Sequence, residues 1–358
     1  MSTSPDRAGP DGSGSGGDSL LERLPADQRA LLRRARPGAV LAASPMLATL
    51  SDRRDFPSGW LLERKLDGIR VLAVREAGRV RLFSRSGRRL NATYPEVVAA
   101  YEAQECTDFT VDGEIVAFSD GRTDFARLQQ RMGLTKPREV QASPVQVFHY
   151  LFDLLRLDGM DTGQLPLRTR KSLLRDALDY APPLRYTTHR NAAPDRDAPA
   201  ADLLDDACAR GWEGLIAKRA DGRYRPRRTP DWLKLKCARS QEFVIGGFTE
   251  PSGSRVGFGA LLLGYYDQGR LRYAGKVGTG YDHRTLVDIR RRLDDLARAT
   301  SPFHDQVRER RPHWAEPRLV GQIAFTEWTR DGLLRHPRFL GLRDDKAPTD
   351  VVREEPER

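Results

Sequence analysis

Residues 60–85 read WLLERKLDGIRVLAVREAGRVRLFSR, a set of short apolar runs rich in Leu, Ile and Val, broken by Gly-containing turns and dotted with single charges. IRVLAV and RVRLFSR on either side of Glu-Ala-Gly predict a β-hairpin, because branched and aromatic side chains suit a pleated surface and Gly permits the reversal. Segments of this kind recur, so the chain must build sheets. FTVDGEIVAF and VQVFHYLFDLL are apolar enough for buried strands, with the helix DFARLQQRM between them, and GLIAKR and DWLKLKC are further strands. TYPEVVAAYEAQ, where Thr93 and Glu96 have capping-box spacing, LRTRKSLLRDALDY and PAADLLDDACARG are helices.

After Cys237 the pattern changes. EFVIGGFTE, GALLLGYYD, LRYAGKVG and QIAFTEWTR are strand-like segments divided by Gly-rich turns, with one helix, TLVDIRRRLDDLAR, among them. This suits a five-stranded barrel carrying one helix, an architecture that commonly binds nucleic acid. A chain of 358 residues is long enough for two domains. The expected division is a disordered tail at 1–19, a short basic helix and linker at 20–44, a first domain at 45–239, the barrel at 240–350 and a C-terminal tail at 351–358.

Hydrophobic residues at 39% and charged residues at 31% are those of a soluble globular protein. No apolar run approaches the ~20 residues needed to cross a bilayer. The N-terminus lacks the apolar core of a secretion signal, so the chain is expected to stay in the cytoplasm, away from membranes. A net charge of +10 points to a polyanionic partner, nucleic acid first. Cys106, Cys208 and Cys237 are odd in number and lack CxxC spacing, which supports neither a disulfide framework nor a zinc site. Of the 60 basic residues only eight are lysines, at 65, 136, 171, 218, 234, 236, 276 and 346. Arginine keeps its proton at any workable pH, whereas a lysine amine can be freed by burial or by neighbouring cations and then act as a nucleophile. Positions that remain lysine in such a chain are candidates for chemistry that needs an amine.

Seven charged stretches occur in order along these strands: ERKLDGIR, SRSG (84–87), DGE (112–114), FDLLRLDG (152–159), EGLIAKR (213–219), WLKLK (232–236) and LRDDK (342–346). The series resembles the motifs of the covalent nucleotidyltransferases, specifically the ATP-dependent DNA ligases. Its wording is most similar to the ligase domain of bacterial non-homologous end-joining DNA ligases, including HPRFLGLRDDK near the C-terminus. The resemblance spans about Pro45 to Lys346. It implies an α+β chain: a mixed α/β adenylyltransferase domain (an ATP-grasp-like nucleotidyltransferase) followed by an OB-fold β-barrel domain.

The resemblance further implies ATP and Mg²⁺ or Mn²⁺ as cofactors, and nicked or broken double-stranded DNA as the partner of a monomer associated with the bacterial nucleoid. A Ku-type end-binding protein is a further expected partner in end joining or repair. Lys65 then attacks the α-phosphorus of ATP to give lysine-AMP, AMP passes to a DNA 5′-phosphate, and the adjoining 3′-hydroxyl displaces it. By the same resemblance Glu63 contacts adenine and Phe152 stacks on it. Arg70 and Arg85 contact phosphate or ribose, Glu114 lies near ribose and metal, and Glu213 is a metal ligand. Lys234 and Lys236, at i and i+2 of a strand, share one face and reach the same α-phosphate, and two cations there would lower the Lys65 pKa. Arg343 and Lys346 match the last motif, which binds pyrophosphate when the barrel closes over ATP. Gly68 and Gly87 serve turns that bring backbone close to the nucleotide. Taken alone, Glu63 fits a surface charge, Phe152 a core residue and LRDDK a solvated tail.

Other classes stay open at this stage. An mRNA-capping guanylyltransferase also uses KxDG with an OB fold, and labelling by ATP against GTP separates the two. An NAD-dependent ligase would carry zinc-ligand cysteines, and a catalytically idle DNA-binding protein would not need Lys65, Glu213, Lys234 and Lys236 intact. Polymerase and nuclease modules, common on end-joining ligase chains, are expected to be absent from 358 residues.

Overall fold

The structure, a computed structural model, describes residues 19–192, 200–237, 240–251 and 256–354. The expected tail at 1–19 falls outside these residues except for Ser19. The first domain contains two large sheets and a two-stranded hairpin, Phe118–Ser119 with Arg122–Thr123. In one sheet, Ile69–Glu76 (β3) and Arg79–Ser84 (β4) form the expected hairpin, and Phe109–Val116 (β5) and Phe148–Leu157 (β6) extend it antiparallel. Leu184–Tyr186 (β7) joins β6 in parallel. Between the hairpin strands Ala77 and Gly78 both take positive φ, 50° and 71°, which is the backbone of a two-residue turn whose twist matches the strands. The other sheet has the order His189–Asn191 (β8), Trp60–Arg64 (β2), Gly214–Arg219 (β9), Arg228–Lys236 (β10) and Leu47–Leu50 (β1).

Helices Pro95–Glu102 (α1), Phe125–Gln129 (α2), Leu167–Ala177 (α3) and Ala200–Ala209 (α4) connect and cover the sheets. The main core lies under the first sheet, where Tyr94, Val97 and Tyr101 of the α1 segment pack on Val71, Val111 and Leu151 with no solvent exposure. Gly68 sits where β3 begins, and a Cβ there would lie 2.2 Å from the Ile115 carbonyl oxygen, so the two strands approach too closely for any side chain.

Beyond residue 240, Ser240–Thr249 (β11), Leu261–Asp267 (β12), Arg270–Val277 (β13), Pro312–Ala324 (β14) and Arg338–Leu342 (β15) form a curved antiparallel sheet, with His283–Asp294 (α5) packed on it. A two-residue strand, Ala297–Arg298, brings this sheet to six strands, where the sequence suggested five. β11 bulges between Ile245 and Gly247 against both neighbours, which bends the sheet toward closure.

Three local expectations are corrected. The basic helix expected after residue 20 is one turn, Ala26–Arg29, because Pro25 and Pro37 interrupt the segment and its leucines settle on the main core instead. Thr93 and Glu96 do not cap α1: Pro95 starts that helix from Tyr94, and Glu96 turns to Arg131 at 2.9 Å. Cys208 and Cys237 form a disulfide across 29 residues of sequence. Spacing did not reveal it, because only the antiparallel pairing of β9 with β10 returns Cys237 to the end of α4.

Candidate active site

A cavity of about 190 Å³ opens between the two sheets and beneath the barrel, and all eleven of the expected site residues line it. Strand register explains the convergence. Glu63 on β2 faces Ile216 on β9, which faces Lys234 on β10, while on the other sheet Arg70 on β3 pairs with Glu114 on β5. Lys65 lies just past β2, where its N–H donates to the Gly214 carbonyl at 2.9 Å, so its side chain enters beside Glu213.

The Lys65 ammonium is in contact with the Glu213 carboxylate. Burial works against that charge, but the ion pair and hydrogen bond with Glu213, helped by Asp67 and Glu114, outweigh it and raise the amine above its ordinary pKa. This corrects the expectation that Lys234 and Lys236 lower it. Those two ammoniums do lie on one face, as i and i+2 spacing requires, but Lys234 turns to the carboxylate of Glu354, while Lys236 donates to the Ser240 carbonyl and, at 3.4 Å, to Glu354. Burial, opposed by Glu354, brings Lys234 down to about 8.

Acidic groups around the amine are poorly compensated. Burial pushes Glu114 up to about 8 against the pull of Arg343, Arg70 and Lys65. Burial and the charge of Glu213 push Asp67 up to about 6. Carboxylates held this way are hard oxygen donors that a divalent cation would satisfy. No cluster of three or more ligating side chains forms among the described residues. Glu114 and Glu213 would suit an ion of the Mg²⁺ type, which takes one or two carboxylates and completes its shell with substrate phosphate and water.

Aromatic groups define the far end. Phe152, 9% exposed, meets Trp232 edge to face at 6.0 Å, and the Lys218 ammonium lies 4.2 Å from both ring centres. Glu63 is not a surface charge. It is 2% exposed and clamped by Lys171 and Lys218, each at 2.6 Å. Burial favours its protonated form, yet the two ammoniums prevail and hold its pKa below the usual carboxylate value. Arg70 makes a fork to Asp112 at 2.5 Å, reinforced by the Tyr224 hydroxyl donating to the same carboxylate at 2.6 Å. Arg85 reaches the cavity from the end of β4, where burial lowers its pKa.

The barrel supplies the roof. Arg343 forks to Asp345 at 2.9 Å with its guanidinium 4.9 Å from the Phe125 ring centre, and Lys346 bonds Glu242 at 3.1 Å. LRDDK is thus held in the site rather than being a solvated tail: the side chains of Asp345 and Lys346 are 2% and 6% exposed, and only Asp344 faces solvent. Sequence reasoning missed Asp67, Lys171, Lys218, Glu242 and Glu354. The lysine count held a signal for two of them, since Lys65, Lys218, Lys234, Lys236 and Lys346 all line the cavity and Lys171 lies behind Glu63.

A mixed α/β domain whose two sheets enclose a lysine, with a barrel bringing basic residues over it, defines a nucleotidyltransferase domain followed by an OB-fold domain. Residues 45–236 match the ATP dependent DNA ligase domain and residues 254–346 the ATP dependent DNA ligase C terminal region. The chain belongs to the ATP-dependent DNA ligase family. It is 37% identical over 323 residues to the multifunctional non-homologous end joining protein LigD of Pseudomonas aeruginosa, covering 87% of this chain and 37% of that one. To the LigD end joining DNA repair protein of Mycobacterium tuberculosis it is 38% identical over 320 residues, covering 87% and 40%. The chain thus spans about two fifths of the length of these curated relatives. Among solved structures, a mycobacterial DNA ligase D complexed with ATP and MES superposes with a TM-score of 0.60 at 33% identity, covering 87% of this chain and 98% of that one.

Proposed function

We propose that this chain is a DNA ligase that seals 5′-phosphate/3′-hydroxyl breaks in duplex DNA through a lysine-AMP intermediate, in the manner of the LigD ligase domain. The observation that carries it is the cavity in which Lys65 meets Glu213 and Glu114 under a roof that holds Arg343 and Lys346. Phosphoryl transfer is mainly positioning and charge neutralisation, and this is what the residues supply. Phe152 offers an apolar ring face for a purine base, with Trp232 standing edge-on beside it and Glu63 and Lys218 close by. Lys234 and Lys236 bind the α-phosphate, and Arg343 and Lys346 orient the pyrophosphate. The Lys65 amine must lose a proton before its lone pair attacks phosphorus; the P–N bond forms as the bond to pyrophosphate breaks. Glu114 and Glu213 would hold a divalent cation, which would supply charge neutralisation and draw off the carboxylate charge that otherwise keeps Lys65 protonated.

AMP then passes to a DNA 5′-phosphate, and the 3′-hydroxyl displaces it. Broken or nicked duplex is the substrate, a Ku-type end-binding protein the partner in end joining, and the monomer the working form. Incubation with radiolabelled ATP and Mg²⁺ or Mn²⁺ should label the chain on Lys65, as mapped by peptide digestion, while labelled GTP should not. Label on another lysine, or label from GTP alone, would refute the assignment.

A further inference from the structure

Glu354 comes from the far end of the described chain and is the only group that binds both lysines of the WLKLK motif among the described residues. Its Oε1 accepts from the Lys234 ammonium and its Oε2 from Lys236 at 3.4 Å. The three side chains are 9–13% exposed, so this is an enclosed ion triad rather than a surface pair.

The segment that delivers the carboxylate is pinned to the barrel. The Tyr266 N–H donates to the Val351 carbonyl at 2.7 Å, and Val351 is fully buried against the barrel. The Gln241 side chain then clamps the next residues in both directions, its Nε2 donating to the Val352 carbonyl and its Oε1 accepting from the Glu354 N–H, both at 2.9 Å. Glu354 therefore moves with the barrel, whereas Lys234 and Lys236 belong to the first domain.

A carboxylate and a phosphate offer the same thing to an ammonium: anionic oxygens that accept charge-assisted hydrogen bonds. Resting on the assignment of Lys234 and Lys236 to the α-phosphate, we propose that Glu354 is a positioning residue that stands in for that phosphate in the nucleotide-free closed state and must be displaced for ATP to bind. The stand-in solves a specific electrostatic problem. Closing the barrel over two nearly buried ammoniums without Glu354 would leave them only Glu242, already bonded to Lys346, as nearby negative charge in a poorly solvated space, and burial already weakens the proton on Lys234. The two lysines in turn hold Glu354 ionised, with its pKa brought down to about 2 against the effect of burial. Opening the barrel withdraws the carboxylate and exposes both lysines together, so domain motion and availability of the phosphate subsite are one event. Glu354 also selects for ligands that carry negative charge at this point, because a neutral group cannot replace it without stranding Lys234, whereas Lys236 keeps the Ser240 carbonyl.

An occupied subsite lowers apparent affinity by the fraction of molecules that are free to bind. If Glu354 fills it in about nine molecules of ten, Glu354→Gln should lower the KM for ATP in lysine-AMP formation about tenfold, with the effect on KM rather than kcat. Glu354→Asp should return KM toward the wild-type value. Gln241→Leu, which frees the segment but keeps the carboxylate, should shift KM in the same direction by less. A Glu354→Gln KM equal to or above wild type, with lysine-AMP forming normally in both, overturns this inference alone. Absence of lysine-AMP from the wild-type chain overturns the assignment of the site and the inference with it.

Discussion

Glu63 shows how much one side chain can depend on its partners. Its carboxylate holds two buried ammoniums apart, and Lys171 also donates to the Thr187 carbonyl at 3.0 Å. Removing one member of a buried ion cluster costs about 3–5 kcal/mol because charges are left unpaired. Glu63→Ala should therefore lose about that much in urea unfolding; a loss under ~1 kcal/mol would mean water reaches the lysines. His149 is a second case. Its Nε2–H donates to the Val71 carbonyl at 3.2 Å and its Nδ1 accepts from the Tyr101 hydroxyl at 2.9 Å, an arrangement that needs the neutral ring. Burial brings its pKa down to about 3. Below an unfolded value near 6.5 the unfolded chain takes up a proton that the folded chain refuses, so this contribution to stability is whole above pH 6.5 and falls with pH down to about 3. At about 1.4 kcal/mol per pH unit, going from pH 6.5 to 5 should cost about 2 kcal/mol more in wild type than in His149→Gln. Parallel stability curves for the two proteins would contradict this.

The strands were legible because their signal is local. The β3–β4 hairpin follows from branched residues around a Glu-Ala-Gly turn, and β9 spans the six residues of GLIAKR. The N-terminal segment misled because its leucines recur at helical spacing, whereas the contact that fixes them is tertiary: Leu20, Leu24, Leu31 and Leu32 pack on the main core. The LRDDK segment after β15 has a step-specific consequence. Pyrophosphate takes part only in lysine-AMP formation, so Lys346→Ala should slow that step at least tenfold in single-turnover assays, about the cost of one charge-assisted contact. Sealing of a nick that already carries AMP on its 5′-phosphate should proceed at the wild-type rate. Equal losses in both assays would point to misfolding or to DNA binding instead.

Over the whole molecule, the described arrangement is closed: Gln129 of α2 donates to the Leu342 carbonyl at 2.9 Å, tying the first domain to the barrel. On the proposed function, DNA enters a more open form, because the roof occupies the space above Lys65. Arg308, Arg310 and Arg311 are exposed on the barrel, and the proposed function predicts that they meet backbone phosphate then. Binding of nicked duplex should weaken steeply with salt, each phosphate contact adding about −0.9 to the slope of log K against log salt. Replacing those three by Ala should make the slope shallower by up to about 3, and an unchanged slope would exclude them. The sequence by itself determined the strands, the change of pattern after Cys237 and the choice of eleven candidates that prove to line one cavity, because strand periodicity, turn chemistry and motif order are properties of neighbours along the chain. Only the tertiary structure decided what those residues touch. Nothing local pairs Lys65 with Glu213 at a separation of 148 residues, or Glu63 with Lys171 at 108, or places Glu354 on Lys234 at 120. The protonation of the amine, the burial of the last motif and the carboxylate between the two lysines all depend on which opposite charge the fold brings within a few ångströms, and Coulomb energy depends on distance in space, not along the chain.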